Sequence, residues 1–189
     1  MVEIKPLRRL EAVDIRRLNY GYTSNEVYQV SKLETLASTS LHLVRVALGQ
    51  PYVKRWETDD AELALLQQTV TAGFSLGAYT DQEMIGVAIG EPRRWNRSLW
   101  VWELHVLPAH QRQGIGSRLV QALISKARQA NLRILVCETQ NTNVPAIDFY
   151  RKMGFEIDGV DLSYYTNQDI QSGEVAFFMK YKIEQVRYG

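Results

Sequence analysis

Gly114 and Gly116, with Arg112 just ahead of them, stand where an apolar run (Leu99 to Val106) gives way to a long amphipathic stretch. Glycine has no Cβ, so its backbone can approach a ligand closely and adopt dihedral angles that other residues avoid. The first N–H groups of a helix have no intrahelical acceptor and sit at the positive end of the helix dipole. A phosphate placed there satisfies those donors, and Arg112 adds a full positive charge. The pattern predicts a backbone cradle for a pyrophosphate-bearing cofactor. It is not a Walker loop, because no Gly-Lys-Ser/Thr follows. A dinucleotide fingerprint would need three glycines in G-x-G-x-x-G order early in a parallel sheet.

The elements that must hold this loop follow from periodicity. Leu99 to Val106 reads as a central strand. Leu119, Val120, Leu123, Ile124 and Ala127 recur with a period of about 3.6, so the segment after the glycines reads as a helix with one buried stripe. Ile134 to Thr139 reads as a buried strand. A short helix is expected from Val144, with Pro145 in its permissive first turn and Gly154 as its stop. Phe74 to Tyr79 and Met84 to Ile89 read as antiparallel strands joined by Thr80-Asp81-Gln82-Glu83. Asp59 and Asp60 precede a helix expected over Ala61 to Thr71, where acidic residues suit the N-terminal end. Leu7 to Leu18 reads as a short helix, and Glu26 to Lys32 and Leu41 to Leu48 as strands. Glu156 to Tyr165 and Glu174 to Lys182 are expected to close the sheet.

Composition narrows the class. The 189 residues suit one domain spanning 1–189 that can bury a full core without staples. With 46% hydrophobic and 23% charged residues, the chain has the make-up of an ordinary soluble globular protein. A net charge of +1 leaves no electrostatic footprint for nucleic acid or an anionic membrane. The single Cys137 lies in the apolar run Ile134-Leu135-Val136-Cys137, which excludes an internal disulfide and reads as a small core residue. No signal peptide and no bilayer-length apolar run is visible, so a cytoplasmic location is expected.

Two motifs together carry a resemblance. Gln111-Arg112-Gln113-Gly114-Ile115-Gly116, after Leu104-His105-Val106, fits the R/Q-x-x-G-x-G/A signature of the GNAT superfamily of acetyl-CoA-dependent N-acyltransferases. Asn143-Val144-Pro145-Ala146 and Phe149-Tyr150-Arg151-Lys152-Met153-Gly154-Phe155 resemble its N-x-x-A…Y-x-x-x-G-F segment. The resemblance implies an α/β GNAT fold: a mixed central β-sheet flanked by helices, with splayed central strands. The order of expected elements, strands and then α-β-α-β-β, agrees. It further implies that Leu104, His105 and Val106 bond the pantetheine arm of acetyl-CoA through their backbone. By the same resemblance Arg112, Gln113, Gly114, Ile115, Gly116 and Ser117 hold the pyrophosphate, and Asn143 contacts the cofactor near its thiol. Asn143 also reads as a plain helix N-cap, and the two roles are compatible. No metal is implied. Oligomeric state is not readable from the chain, although dimers are common in the superfamily and a homodimer fits it.

Acetyl transfer to an amine needs a proton for the departing thiolate and an acceptor for the amine's proton. Tyr150 matches the position that often serves as general acid: a phenol with a pKa of about 10 can protonate a thiol with one of about 8.5. It also reads as a core tyrosine on a face with Ala146 and Met153. An alkylamine with a pKa of about 10.4 is almost fully protonated at neutral pH, so a base is required, directly or through water. Glu103 on the central strand and Glu138 on its neighbour are the best-placed carboxylates, although Glu103 also reads as a partner for His105 or an arginine.

Beyond these motifs, segments from about Gln50 to Tyr181 resemble the streptothricin (nourseothricin) acetyltransferases. They include Pro51-Tyr52, Trp95-Asn96, Glu138-Thr139-Gln140, Gly159-Val160-Asp161-Leu162, Tyr165 and Glu174. The implied acceptor is a small-molecule amine, the β-lysine amine of a polycationic antibiotic. Among Asp59, Asp60, Asp158 and Asp161, the last is the best candidate for holding a substrate cation. Ile147 and Met153 replace expected cysteines as cheap core swaps, whereas Met179 replaces an aromatic and is expected to reshape the substrate wall. Two other readings remain open: a GNAT acting on a protein N-terminus, a lysine or a polyamine, and a non-catalytic acetyl-CoA-binding module.

Overall fold

The computed structural model describes residues 1–18 and 20–184. Its elements run β1 (Glu3–Pro6), α1 (Ala12–Leu18), β2 (Tyr22–Glu34), β3 (Thr39–Lys54), α2 (Asp60–Val70), β4 (Leu76–Thr80), β5 (Glu83–Arg93), β6 (Ser98–Val106), α3 (Ile115–Gln129), β7 (Ile134–Gln140), α4 (Val144–Lys152), β8 (Glu156–Asp161), α5 (Asp169–Ser172) and β9 (Ala176–Lys182). The main sheet is mixed and seven-stranded, in the order β1-β4-β5-β6-β7-β9-β8, and β2 pairs with β3 in a separate ribbon. The chain groups into two compact units. One holds Met1–Tyr20 and Trp56–Cys137 with the last described residues from Tyr181, the other Gly21–Arg55 and Glu138–Lys180.

The first unit covers both faces of its strands. Met84, Val87 and Ile89 of β5 join Ile15 and Leu18 of α1 and Leu63, Leu66 and Val70 of α2 in one apolar cluster. On the opposite face, a Cβ on Gly86 would lie 3.4 Å from Leu119 of α3. The stripe expected on α3 is buried at all five positions. Asp59 caps α2 by accepting the Glu62 N–H at 2.8 Å. Asp81 and Gln82, both at positive φ, form the two-residue turn between β4 and β5.

Two expectations change. Helix α1 begins only at Ala12, because the chain before it is drawn out: Leu7 donates its N–H to Ser75 O at 2.9 Å and Leu7 and Leu10 are buried. Strand β8 stops at Asp161, not Tyr165. The fully buried Asp169 accepts the N–H groups of Tyr165 and Thr166 at 3.0 and 2.7 Å, which turns the chain into α5. Burial acts to raise the Asp169 carboxyl, but these donations outweigh it and hold the group below the usual carboxylate range.

In the second unit, Asn141 ties β2 to the start of β9. Its backbone O accepts the Tyr28 N–H at 2.9 Å, its side-chain amide donates to Tyr28 O at 2.8 Å, and its Oδ1 accepts the Val175 N–H at 2.7 Å. Gly21 admits no other residue: at φ +95°, a Cβ would sit 2.0 Å from Lys54 O. No helix among the described residues is long and apolar enough to cross a membrane.

Candidate active site

The loop before α3 has the features of an anion cradle. Gly114 is the N-cap of α3 in the left-handed region, at φ 80°, with no side-chain cap. The first bond of the helix is Arg118 N–H to Gly114 O at 3.0 Å, so Ile115, Gly116 and Ser117 present N–H groups that the helix itself does not use. Gln111, Arg112, Gln113 and Gly114 are exposed, and Ile115 is buried as the anchor. A Cβ on Gly114 would meet nothing within 4 Å, so glycine is favoured there by its dihedral rather than by crowding. Arg112 also adopts a positive φ, 59°, a local strain of the kind that gathers at binding loops.

Strand β6 supplies a second backbone surface. Its register against β5 passes from Ile89↔Glu103 to Gly90↔Val101, leaving Trp102 as a bulge. The parallel ladder with β7 runs from Ser98↔Ile134 to Val101↔Cys137 and shows no registered pair beyond it among the described residues. Leu107 donates to Ile85 O at 2.9 Å, and antiparallel alternation therefore turns the backbone groups of Glu103 and His105 toward β5, so the His105 backbone, expected to bond the pantetheine arm, is directed at the neighbouring strand instead. Those of Leu104 and Val106 face the other way, where Val106 O accepts from Gln111 Nε2 at 3.0 Å.

On this strand Glu103 and His105, two residues apart and so on one face, are hydrogen-bonded through Oε2 and Nε2. Their side chains are 15% and 16% exposed. Trp56 packs edge-on against His105, with ring centroids 6.4 Å apart. Glu62 of α2 belongs to the same group: burial raises its carboxyl, and the negative charges of Glu103 and Asp59 raise it further. Nothing in the local sequence marks Glu62, which reads only as an acidic residue in a first helical turn.

In the second unit Asn143 caps α4 by accepting the Ala146 N–H at 3.2 Å. The buried face of α4 is Val144, Ile147 and Tyr150, whereas Ala146 and Met153 are only half-buried. The Tyr150 ring lies 5.5 Å from Phe149 and 5.3 Å from Phe155. Glu138 accepts a hydrogen bond from the Tyr165 hydroxyl. Tyr22 Oη lies 2.5 Å from Thr142 Oγ1, and Lys54 pairs with Glu174. Burial pushes the Tyr22 phenol well above its ordinary range, and Glu174 and Glu138 add to the effect.

The acidic residues weighed as cation holders mostly serve the fold. Asp161 accepts the Ser163 N–H at 2.9 Å at the end of β8. Asp60 pairs with Arg16 at 2.5 Å and Asp158 with Lys180 at 3.3 Å. Met179, expected at a substrate wall, is fully buried.

Comparison with known proteins bears on what such a chain does. The profile of the acetyltransferase (GNAT) family matches residues 41–155. A streptothricin acetyltransferase of Streptomyces lavendulae is 28% identical over 180 residues, covering 94% of this chain and 93% of that one. The crystal structure of nourseothricin acetyltransferase superposes with a TM-score of 0.75 at 26% identity, covering 97% and 99% of the two chains. A Bacillus anthracis protein assigned as a streptothricin acetyltransferase, solved with acetyl coenzyme A, shares the fold at 22% identity with a TM-score of 0.73, covering 97% and 98%.

Proposed function

Because this chain belongs to the acetyltransferase (GNAT) family and is an acetyl-CoA-dependent N-acetyltransferase, we propose that its acceptor is the β-lysine amine of streptothricin-type antibiotics. The observation that carries this reading is the likeness to nourseothricin acetyltransferase over 97% of the chain. The residues present suit the cofactor. The uncapped N-terminus of α3, with Arg112 and Gln113 before Gly114 and with Ile115, Gly116 and Ser117 after it, would hold the pyrophosphate. The outward backbone groups of Leu104 and Val106 would bond the pantetheine arm as an added strand does. Asn143 would contact the cofactor near its thiol while capping α4.

The amine nitrogen bonds to the thioester carbonyl carbon as the C–S bond breaks. Glu103 takes the amine's proton, directly or through water, and Tyr150 gives a proton to the departing thiolate. Glu138 serves the acceptor as a second carboxylate that offsets its positive charge.

Two measurements test this assignment. Gly114→Asp should weaken acetyl-CoA binding by well over tenfold, more than ~1.4 kcal/mol, by placing a carboxylate where the pyrophosphate would lie. Gly114→Asn is the control, since asparagine tolerates positive φ and carries no charge; calorimetry giving equal affinity for both variants and the parent would overturn the cradle. Incubation with acetyl-CoA and streptothricin should yield the monoacetylated antibiotic by mass spectrometry, and expression in a sensitive bacterium should confer resistance. Soluble protein that binds acetyl-CoA but acetylates only peptides or polyamines would sink the antibiotic as substrate.

A further inference from the structure

We propose that Tyr165 is a positioning residue whose hydroxyl, donating to Glu138, orients the Glu138 carboxylate for the acceptor ammonium. This rests on the reading of Glu138 as the acceptor-side carboxylate.

Strand β7 is buried at every position except Glu138, which is half-buried. Strand alternation puts Glu138 and Gln140 on one face. Tyr165 meets both there: its hydroxyl donates to Glu138 Oε1 and accepts from the Gln140 side chain. The residue is held from two sides. Its backbone N–H is fixed to Asp169 Oδ2 at 3.0 Å, and its ring packs edge-on against Tyr164 with centroids 5.2 Å apart. A side chain fixed at the backbone, the ring and the hydroxyl has little freedom left, so the carboxylate it contacts is held in one orientation.

The chemistry of the contact has a sign. Burial raises the Tyr165 phenol far above its ordinary range, and the charges of Glu138 and Glu174 raise it further, so it stays protonated and donates. Hydrogen bonds to an ionised acceptor are stronger than neutral ones and favour the charged form. Titratable groups nearby include Tyr22, which feels Tyr52, Glu174 and Glu138, and Lys54, which pairs with Glu174. Burial raises the Tyr22 phenol as well.

The test is the titration of the Glu138 carboxyl, read by ¹³C NMR in the full chain and assigned with Glu138→Gln. Tyr165→Phe keeps the ring and the backbone bond to Asp169, and should raise the midpoint by about one pH unit. Gln140→Met removes only the far end of the bridge and should shift it the same way by less. In turnover of streptothricin, Tyr165→Phe should move the acid limb of kcat/KM upward by the same interval, with melting temperature and acetyl-CoA affinity retained. An unchanged Glu138 midpoint in both variants would overturn the positioning role, even where Glu138→Gln loses activity and the reading of Glu138 stands. Full activity in Glu138→Gln would overturn the reading of Glu138 and with it the role of Tyr165 in catalysis.

Discussion

Replacing Tyr150 with phenylalanine should lower kcat by about 10²–10⁴-fold, the usual worth of a general acid. The reason is chemical rather than architectural. The ring is buried beside Phe149 and Phe155, and phenylalanine keeps all of those contacts. What disappears is the hydroxyl proposed to protonate the departing thiolate. Acetyl-CoA affinity should therefore change little and the melting temperature should stay close to that of the parent. The measurement is single-turnover acetylation, where chemistry limits the rate. A rate within about twofold of the parent would make Tyr150 a packing residue only.

Glu103→Gln should cost a comparable factor, about 10²–10⁴-fold in kcat/KM near neutral pH, because the proposed acceptor for the amine's proton is gone. Glutamine keeps the shape and can still hydrogen-bond His105, so the arrangement on β6 survives. Without the base, reaction depends on the small fraction of amine that is already neutral. That fraction grows with pH toward the amine's own pKa of about 10.4, so the pH optimum should move upward. Glu62 gives a check that needs no substrate. Burial still raises its carboxyl, but the repulsion from Glu103 is lost, so its titration midpoint should fall. An unchanged pH profile with full turnover would remove Glu103 from proton transfer and leave it as the partner of His105.

The parts of the fold legible in the sequence are those with a strong local period or a capping residue. Leu119, Val120, Leu123, Ile124 and Ala127 mark α3 because a helix with one buried side must repeat its apolar residues every turn. Asp59 and Asn143 mark the starts of α2 and α4 because a helix N-terminus needs an acceptor for its unpaired N–H groups. Where nonlocal contacts override local pattern, the reading failed. Leu7 and Leu10 look helical, but Ser75 draws that segment into an extended path before α1. Glu156 to Tyr165 looks like one strand, but the buried Asp169 pulls Tyr165 and Thr166 out of it.

The same division holds for the site. Sequence alone indicated the glycine loop and the helix that starts after it, because this is a local device whose residues are neighbours in the chain, and the structure has Gly114 there at positive φ with no side-chain cap. Sequence also placed Glu103, Glu138, Asn143 and Tyr150 on their elements, since each sits within a recognisable strand or helix. Only the tertiary structure decided what those side chains meet. The bond from Tyr165 to Glu138 spans 27 residues, and the Lys54–Glu174 pair spans 120. Glu62 reaches the neighbourhood of Glu103 from α2, a helix that precedes β4 and β5 in the chain. Periodicity reports which face of an element is buried, but the partner across that face depends on how separate elements pack, and no local pattern encodes that distance.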